Sequence, residues 1–237
     1  MSTLIVIAKT PVPGRVKTRL TPPFTPQEAA ALAEAALADT LRAARETDVE
    51  HRLLVLDGVP RTAWHRDFTV VPQVPGTLDR RLAAAFAQAA LRDPGPVLLV
   101  GMDTPQITPD LLRSCLPGAE DAEHTEDTEG TDAAADATLG PADDGGFWCL
   151  GFREPRGLDL EAHLVGVPMS TDHTGRDQLG RLRAAGLSVR LAPTLRDVDT
   201  VEDADHVAAL VPESRFGVRF RDLRQRLDAP AGTGPRP

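Results

Sequence analysis

Lysine is nearly missing from this 237-residue chain: only Lys9 and Lys17 are present, against 24 arginines. Lysine is ordinarily among the commonest residues. A codon preference for arginine accounts for the bias without reference to function. It also marks two neighbouring positions where a compact ammonium was kept in place of a wide planar guanidinium. A tight pocket that meets a phosphate as a point charge favours that choice. Tyrosine is absent and aromatics make up 4% of the chain, which argues against a base-stacking nucleic-acid surface. The two cysteines, Cys115 and Cys149, lack metal-ligand spacing. Both fall in apolar patterns and read as core thiols, which fits a reducing cytoplasm. The N-terminal apolar run, residues 4–8, is too short for a secretory signal or a membrane span.

The net charge of −9 speaks against a broad nucleic-acid interface. Most of that charge is local. Residues 120–136 hold eight acids and no lysine or arginine, and without them the net charge is −1. Residues 118–136 have no periodicity and read as an acidic, disordered surface insertion. Acids in such a segment also suit metal buffering.

Residues 3–8 form a β-branched apolar run that predicts a strand buried on both faces. Further strands are predicted at residues 51–56, 68–71, 97–100, 137–139, 147–150 and 188–191. Between them lie helical patterns at about 26–46, 78–91, 109–116 and 176–185, and another follows Thr200. Thr25-Pro26-Gln27-Glu28 carries the letters of a capping box with proline at the first helical position. This alternation predicts an α/β fold, a mostly parallel twisted sheet with helices on both faces. Residues 1–211 read as one domain, followed by a C-terminal helix and frayed tail over 212–237. Ligands in such sheets bind beyond the carboxyl ends of the strands.

Those ends carry the polar motifs. The first is Ala8-Lys9-Thr10-Pro11-Val12-Pro13-Gly14-Arg15-Val16-Lys17-Thr18-Arg19-Leu20. Gly14 lets the backbone approach a ligand. An extended segment would place Arg15, Lys17 and Arg19 on one side, which suits a di- or triphosphate. Solvated loop charges give the same letters. The glycine spacing of a P-loop or dinucleotide fingerprint is missing. The second is Val100-Gly101-Met102-Asp103-Thr104-Pro105, where Asp103 ends a strand and could hold a divalent ion or fix the turn. The third is Gly140-Pro141-Ala142-Asp143-Asp144-Gly145-Gly146, in which a carboxylate could act as general base or metal ligand while the glycines admit substrate. A hairpin turn uses the same residues. The fourth is Arg196-Asp197-Val198-Asp199-Thr200. Here Thr200 caps a helix, and Asp199 is either a second metal ligand or part of the cap.

Taken together and in this order, the four blocks resemble the bacterial glycosyltransferase-like family of unknown function. That family is related to phospholactate guanylyltransferase and the molybdenum-cofactor nucleotidyltransferases. The resemblance spans about residues 3–210. It implies a GT-A, nucleotide-diphospho-sugar transferase fold, with a nucleotide sugar or nucleoside triphosphate as donor and Mg2+ or Mn2+ as cofactor. On this resemblance Lys17 and Arg19 fall at the positions that meet nucleotide phosphates, with Lys9, Gly14, Arg15 and Thr18 around them. Asp103 falls at the metal aspartate, Asp144 at the aspartate before Gly-Gly, and Ser170 and Thr171 near the acceptor. Phe147-Trp148 departs from a more usual tyrosine, Met169 from a common tryptophan, and the acidic segment from the common pattern.

The chemistry implied is metal-assisted transfer with Asp103 and Asp199 on the ion, the basic loop on the phosphates and Asp144 at the acceptor, beside Asp143, Gly145 and Gly146. Glycosyl transfer to a small acceptor is the leading expectation. Nucleotidyl transfer to a phosphorylated small molecule, with pyrophosphate released, is the alternative, and a non-catalytic nucleotide-binding module the third.

Overall fold

The computed structural model describes residues 1–118 and 135–228, so most of the acidic segment at 118–136 lies outside the described residues. Seven strands form one sheet in the order β3-β2-β1-β4-β6-β5-β7. They are β1 (Thr3–Lys9), β2 (His51–Asp57), β3 (Thr69–Pro72), β4 (Val97–Val100), β5 (Ala137–Pro141), β6 (Phe147–Phe152) and β7 (Val189–Leu191). Strands β3, β2, β1 and β4 pair in parallel, β6 runs antiparallel to both β4 and β5, and β7 is parallel to β5. The helices are α1 (Pro26–Glu46), α2 (Leu78–Arg92), α3 (Pro109–Cys115), α4 (Leu160–Leu164), α5 (Thr174–Ala184), α6 (Val201–Leu210) and α7 (Arg215–Asp228).

The period-2 geometry of strands explains the near-continuous apolar runs. In β1, Leu4, Val6 and Ala8 face a core shared with α1 and α3, while Ile5 faces one shared with α2, α4 and α5. Both cysteines are buried in the first of these cores. The capping box at Thr25 and Glu28 forms as its letters predict, and Thr200 with Asp203 forms a second one at α6. Each satisfies orphan amides at the start of its helix.

A third core lies on the outer side of α1. It gathers Leu20 and Phe24 from the segment after the basic loop, Leu32 and Ala36 from α1, Val198, Ala204 and Val207 around α6, and Phe216, Phe220 and Leu223 from α7. Phe24 meets Phe220 edge-on at 5.7 Å. The buried Asp39 of α1 accepts hydrogen bonds from the backbone amides of Arg215 (3.2 Å) and Phe216 (2.8 Å). A carboxylate at that helix start satisfies orphan amides and complements the dipole. Helix α7 is therefore packed into the same body as the sheet, across the sequence boundary at residue 211.

Phe216→Ala should lower the free energy of unfolding by about 3–5 kcal/mol. Urea titration should still show one transition. A separate low-stability transition for α7 would contradict the shared core.

Candidate functional site

At the carboxyl ends of β1, β3 and β4 the sheet opens into a cavity of about 630 Å3, within the usual size for a small-molecule site. Its charged lining is divided by topology. Lys9, Arg15, Lys17, Arg19 and Arg81 come from the β1–β3 side, including the loop after β1 and helix α2. Asp103, Asp144, Asp197 and Asp199 come from the β4–β6 side and the segment before α6.

Lys17 crosses that divide. Its Nζ lies 2.7 Å from Asp103 Oδ1 and 2.9 Å from Asp199 Oδ1, and the Lys17 side chain is only 8% exposed. Burial alone would pull its ammonium down, but the Asp103 and Asp199 carboxylates hold it above its ordinary value. Arg19, largely exposed, reaches Asp199 Oδ2 at 3.5 Å. The segment is not extended as its alternation suggests. Gly14 (φ 75) and Lys17 (φ 48) take left-handed backbones, and residues Thr18–Leu20 form a 3-10 turn. Leu20, the last residue of this turn, is drawn into the third core, so the chain must coil to bury it. Arg15 and Arg19 thus stay exposed on the cavity rim while Lys17 turns inward.

Asp103 and Asp199 are brought together by the backbone. Val198 N donates to Asp103 O at 2.9 Å. The Val198 side chain is buried in the third core, and its neighbours Asp197 and Asp199 both line the cavity. Gln106 Nε2 fixes the same segment through Arg196 O at 2.7 Å.

The remaining motif residues divide. Asp144 lines the cavity, with Oδ1 accepting from Gly146 N at 2.8 Å. Lys9 and Thr18 also line it. Gly14 is not on the lining and serves the turn. Asp143 points elsewhere, paired with Arg196 at 3.0 Å. Gly145 is not on the lining either, and a Cβ there would collide with the Asp172 carbonyl. A Cβ on Gly175 would likewise collide with Gly146 O. Gly145 and Gly175 thus admit a neighbouring backbone, whereas Gly146 lines the cavity. Ser170 (φ 61) and Thr171 line the cavity, and the Thr171 backbone N–H donates to Thr174 Oγ1 at 3.1 Å. The left-handed Ser170 is a strained non-glycine position of the kind found at binding sites.

Three lining residues with charged or amide side chains were not singled out in the sequence. Gln73 and Arg81 join at 3.1 Å at the far end of the cavity, where Gln73 Nε2 also reaches Ala8 O at 2.7 Å. Nothing in the sequence around them forms a motif. Asp197 did have a signal, since it alternates with Asp199 about the apolar Val198. Burial pushes its carboxyl up to about 7, helped by Asp103 and Asp144.

Hard carboxylate oxygens suit Mg2+ or Mn2+, and the Lys17 ammonium between Asp103 and Asp199 shows that a cation fits there. Among the described residues no group of three or more acids, histidines or cysteines forms a ready cage. A pair of carboxylates completed by phosphate oxygens and water is what magnesium ordinarily uses.

Asp197 keeps its proton in the folded protein to about pH 7, whereas the unfolded chain loses it near pH 4. The folded form then binds more protons across this window, so stability falls as pH rises from about 4 to about 7. Asp197→Asn removes that fall. In metal-free buffer its melting temperature should exceed the wild type's at pH 8 by about 3 °C or more, with a smaller difference at pH 5. An equal difference at both pH values would contradict the protonated Asp197.

The fold has solved relatives. A candidate nucleotide-diphospho-sugar transferase from Desulfovibrio desulfuricans superposes with a TM-score of 0.78 at 22% identity, covering 94% of this chain and 95% of that one. A cytidylyltransferase from Leptospira borgpetersenii superposes with a TM-score of 0.51 at 10% identity, covering 99% of each chain. The sheet and its helices are thus the nucleotide-diphospho-sugar transferase, GT-A, fold. No curated protein matches the sequence. Residues 27–171, which include Asp103, Asp144, Ser170 and Thr171, match the family DUF2064, described as uncharacterized proteins conserved in bacteria, and the chain belongs to that family.

Proposed function

We propose that this protein is a metal-dependent transferase that takes a nucleotide sugar as donor and passes the sugar to a small, uncharged hydroxyl acceptor. The division of the cavity into a basic side and an acidic side carries this reading. Donor phosphates suit the side with Arg15, Arg19 and Lys17, whose charges would stabilise the departing nucleoside diphosphate. The other side offers Asp144, Asp197, Ser170, Thr171, Met169 and Phe147. A phosphorylated acceptor placed there would face carboxylates with no cation from its own wall, whereas a hydroxyl would find acceptors and a base.

Asp144 is the residue assigned to the acceptor. Its Oδ1 is tied to Gly146 N, which orients Oδ2 as the oxygen to take the hydroxyl proton. Asp103 and Asp199 are the residues that would hold the divalent ion, which when bound supplies charge neutralisation at the phosphates. The cavity lies over the carboxyl edge of the sheet, the usual binding edge of such folds. A likeness of fold to a candidate nucleotide-diphospho-sugar transferase supports the donor class.

A second reading is nucleotidyl transfer with release of pyrophosphate. The run of three cations in the loop after β1 favours it, since a triphosphate would use all three. The two readings differ in products. Nucleotide sugars that raise the melting temperature with Mg2+ or Mn2+, and yield nucleoside diphosphate, support the first. Pyrophosphate released from a nucleoside triphosphate and a phospho-acid supports the second. No stabilisation by any nucleotide in either metal would defeat both.

Lys17→Ala should weaken nucleotide binding about 10- to 100-fold by calorimetry. Asp144→Asn should lower kcat by about 100-fold or more while donor affinity holds. An unchanged kcat in Asp144→Asn would remove it from the acceptor role.

A further inference from the structure

The ammonium assigned to the phosphates and the carboxylates assigned to the metal are in direct contact. Lys17 Nζ sits 2.7 Å from Asp103 Oδ1 and 2.9 Å from Asp199 Oδ1. A hard divalent ion binds carboxylate oxygen at about 2.0–2.6 Å. Placed on the same two oxygens, it would lie against the ammonium in a recess where the Lys17 side chain is only 8% exposed. Like charges that close, poorly screened by solvent, repel strongly. The remaining oxygen of Asp199 is already within 3.5 Å of Arg19.

We infer that Lys17 is a built-in competitor for the divalent-metal site: it neutralises Asp103 and Asp199 until donor phosphate draws it away, so that metal and nucleotide enter together. The inference rests on the transferase reading for the identity of its anionic ligand, and on the ion contacts alone for the competition. Lys17 has a flexible four-carbon stem, and the cations that would meet the same phosphates, Arg15 and Arg19, lie on the cavity rim beside it. Moving from two carboxylates to a phosphate keeps the ammonium paired throughout. The exchange makes metal and phosphate binding mutually reinforcing, and thermodynamic linkage requires the effect to be reciprocal. It also gives a reason for lysine at this place. An arginine fork bridging two carboxylates is held by several directed hydrogen bonds and does not release them singly.

The scarcity of lysine makes the test direct, because protein labelled with [13Cε]lysine has two side-chain signals, Lys9 and Lys17. Mn2+ affinity, without nucleotide, would be measured by electron paramagnetic resonance for the wild type, Lys17→Met and Lys17→Arg. Lys17→Met should bind Mn2+ at least tenfold more tightly, and Lys17→Arg, whose guanidinium would hold both carboxylates, should bind it no more tightly than the wild type. In the labelled wild type, Mg2+ should move the Lys17 signal and leave Lys9 in place, with saturation tracking metal occupancy. Equal or weaker Mn2+ binding in a folded Lys17→Met overturns the inference, as does Mg2+ saturation with Lys17 unmoved should that variant not fold. Failure of the transferase reading is separable. Tighter Mn2+ binding in Lys17→Met with no nucleotide bound under any condition leaves the competition standing and removes the proposed donor. Nucleotide-sugar turnover with Mn2+ affinity unchanged in Lys17→Met removes the competition alone.

Discussion

One ammonium ties the working edge of this protein together. Lys17 brings the loop after β1, the end of β4 and the segment before α6 to a single point, through Asp103 and Asp199. Without it two carboxylates would face one another beside Asp197, whose own carboxyl already holds its proton because it is buried, with the charges of Asp103 and Asp144 adding to the effect. Four acidic side chains on one wall need a cation to be tolerable in a half-enclosed recess. The whole charge pattern of the cavity follows from that need.

The positions of these residues are set from behind. Leu20, next to the basic loop, and Val198, between the two aspartates, are anchored in the same outer core as Phe216 and Phe220 of α7. That third layer joins residues 20–36 to residues 198–223 and so holds both halves of the ion contact. Asp39 ties α7 to α1 by its backbone amides, so the layer is fixed by a buried polar contact as well as by apolar area. Stability of the last described helix and geometry of the site are the same quantity seen from two sides.

Much of this was legible in the residues. Strands buried on both faces announce themselves as unbroken apolar runs, and capping boxes depend on four adjacent letters. Both are local, and both formed. Asp103 and Asp144 were legible because strand ends and turns place polar residues at the binding edge. The shape of the basic loop was not legible. Its alternation suggested an extended chain, but burial of Leu20 in the third core, which gathers residues from both ends of the chain, coils it instead. Asp143 lies off the cavity, paired with Arg196 from a distant segment. Asp197 was within reach, since period-2 alternation about a buried Val198 puts both aspartates on one face. Gln73 and Arg81 carry no local signal and meet only because β3 and α2 fold back over β1.

The interlocked glycines have a consequence for change in this fold. Gly145 accepts the backbone of Asp172, and Gly175 accepts the Gly146 carbonyl, with no space at either for even a methyl group. Gly175 N also donates to Gly145 O at 2.8 Å. The turn between β5 and β6 and the start of α5 therefore move as one rigid piece. A lineage adapting this cavity to a larger acceptor could not widen it by loosening that joint. It would have to trade side chains on the cavity wall, such as Phe147 and Met169, and leave that joint untouched.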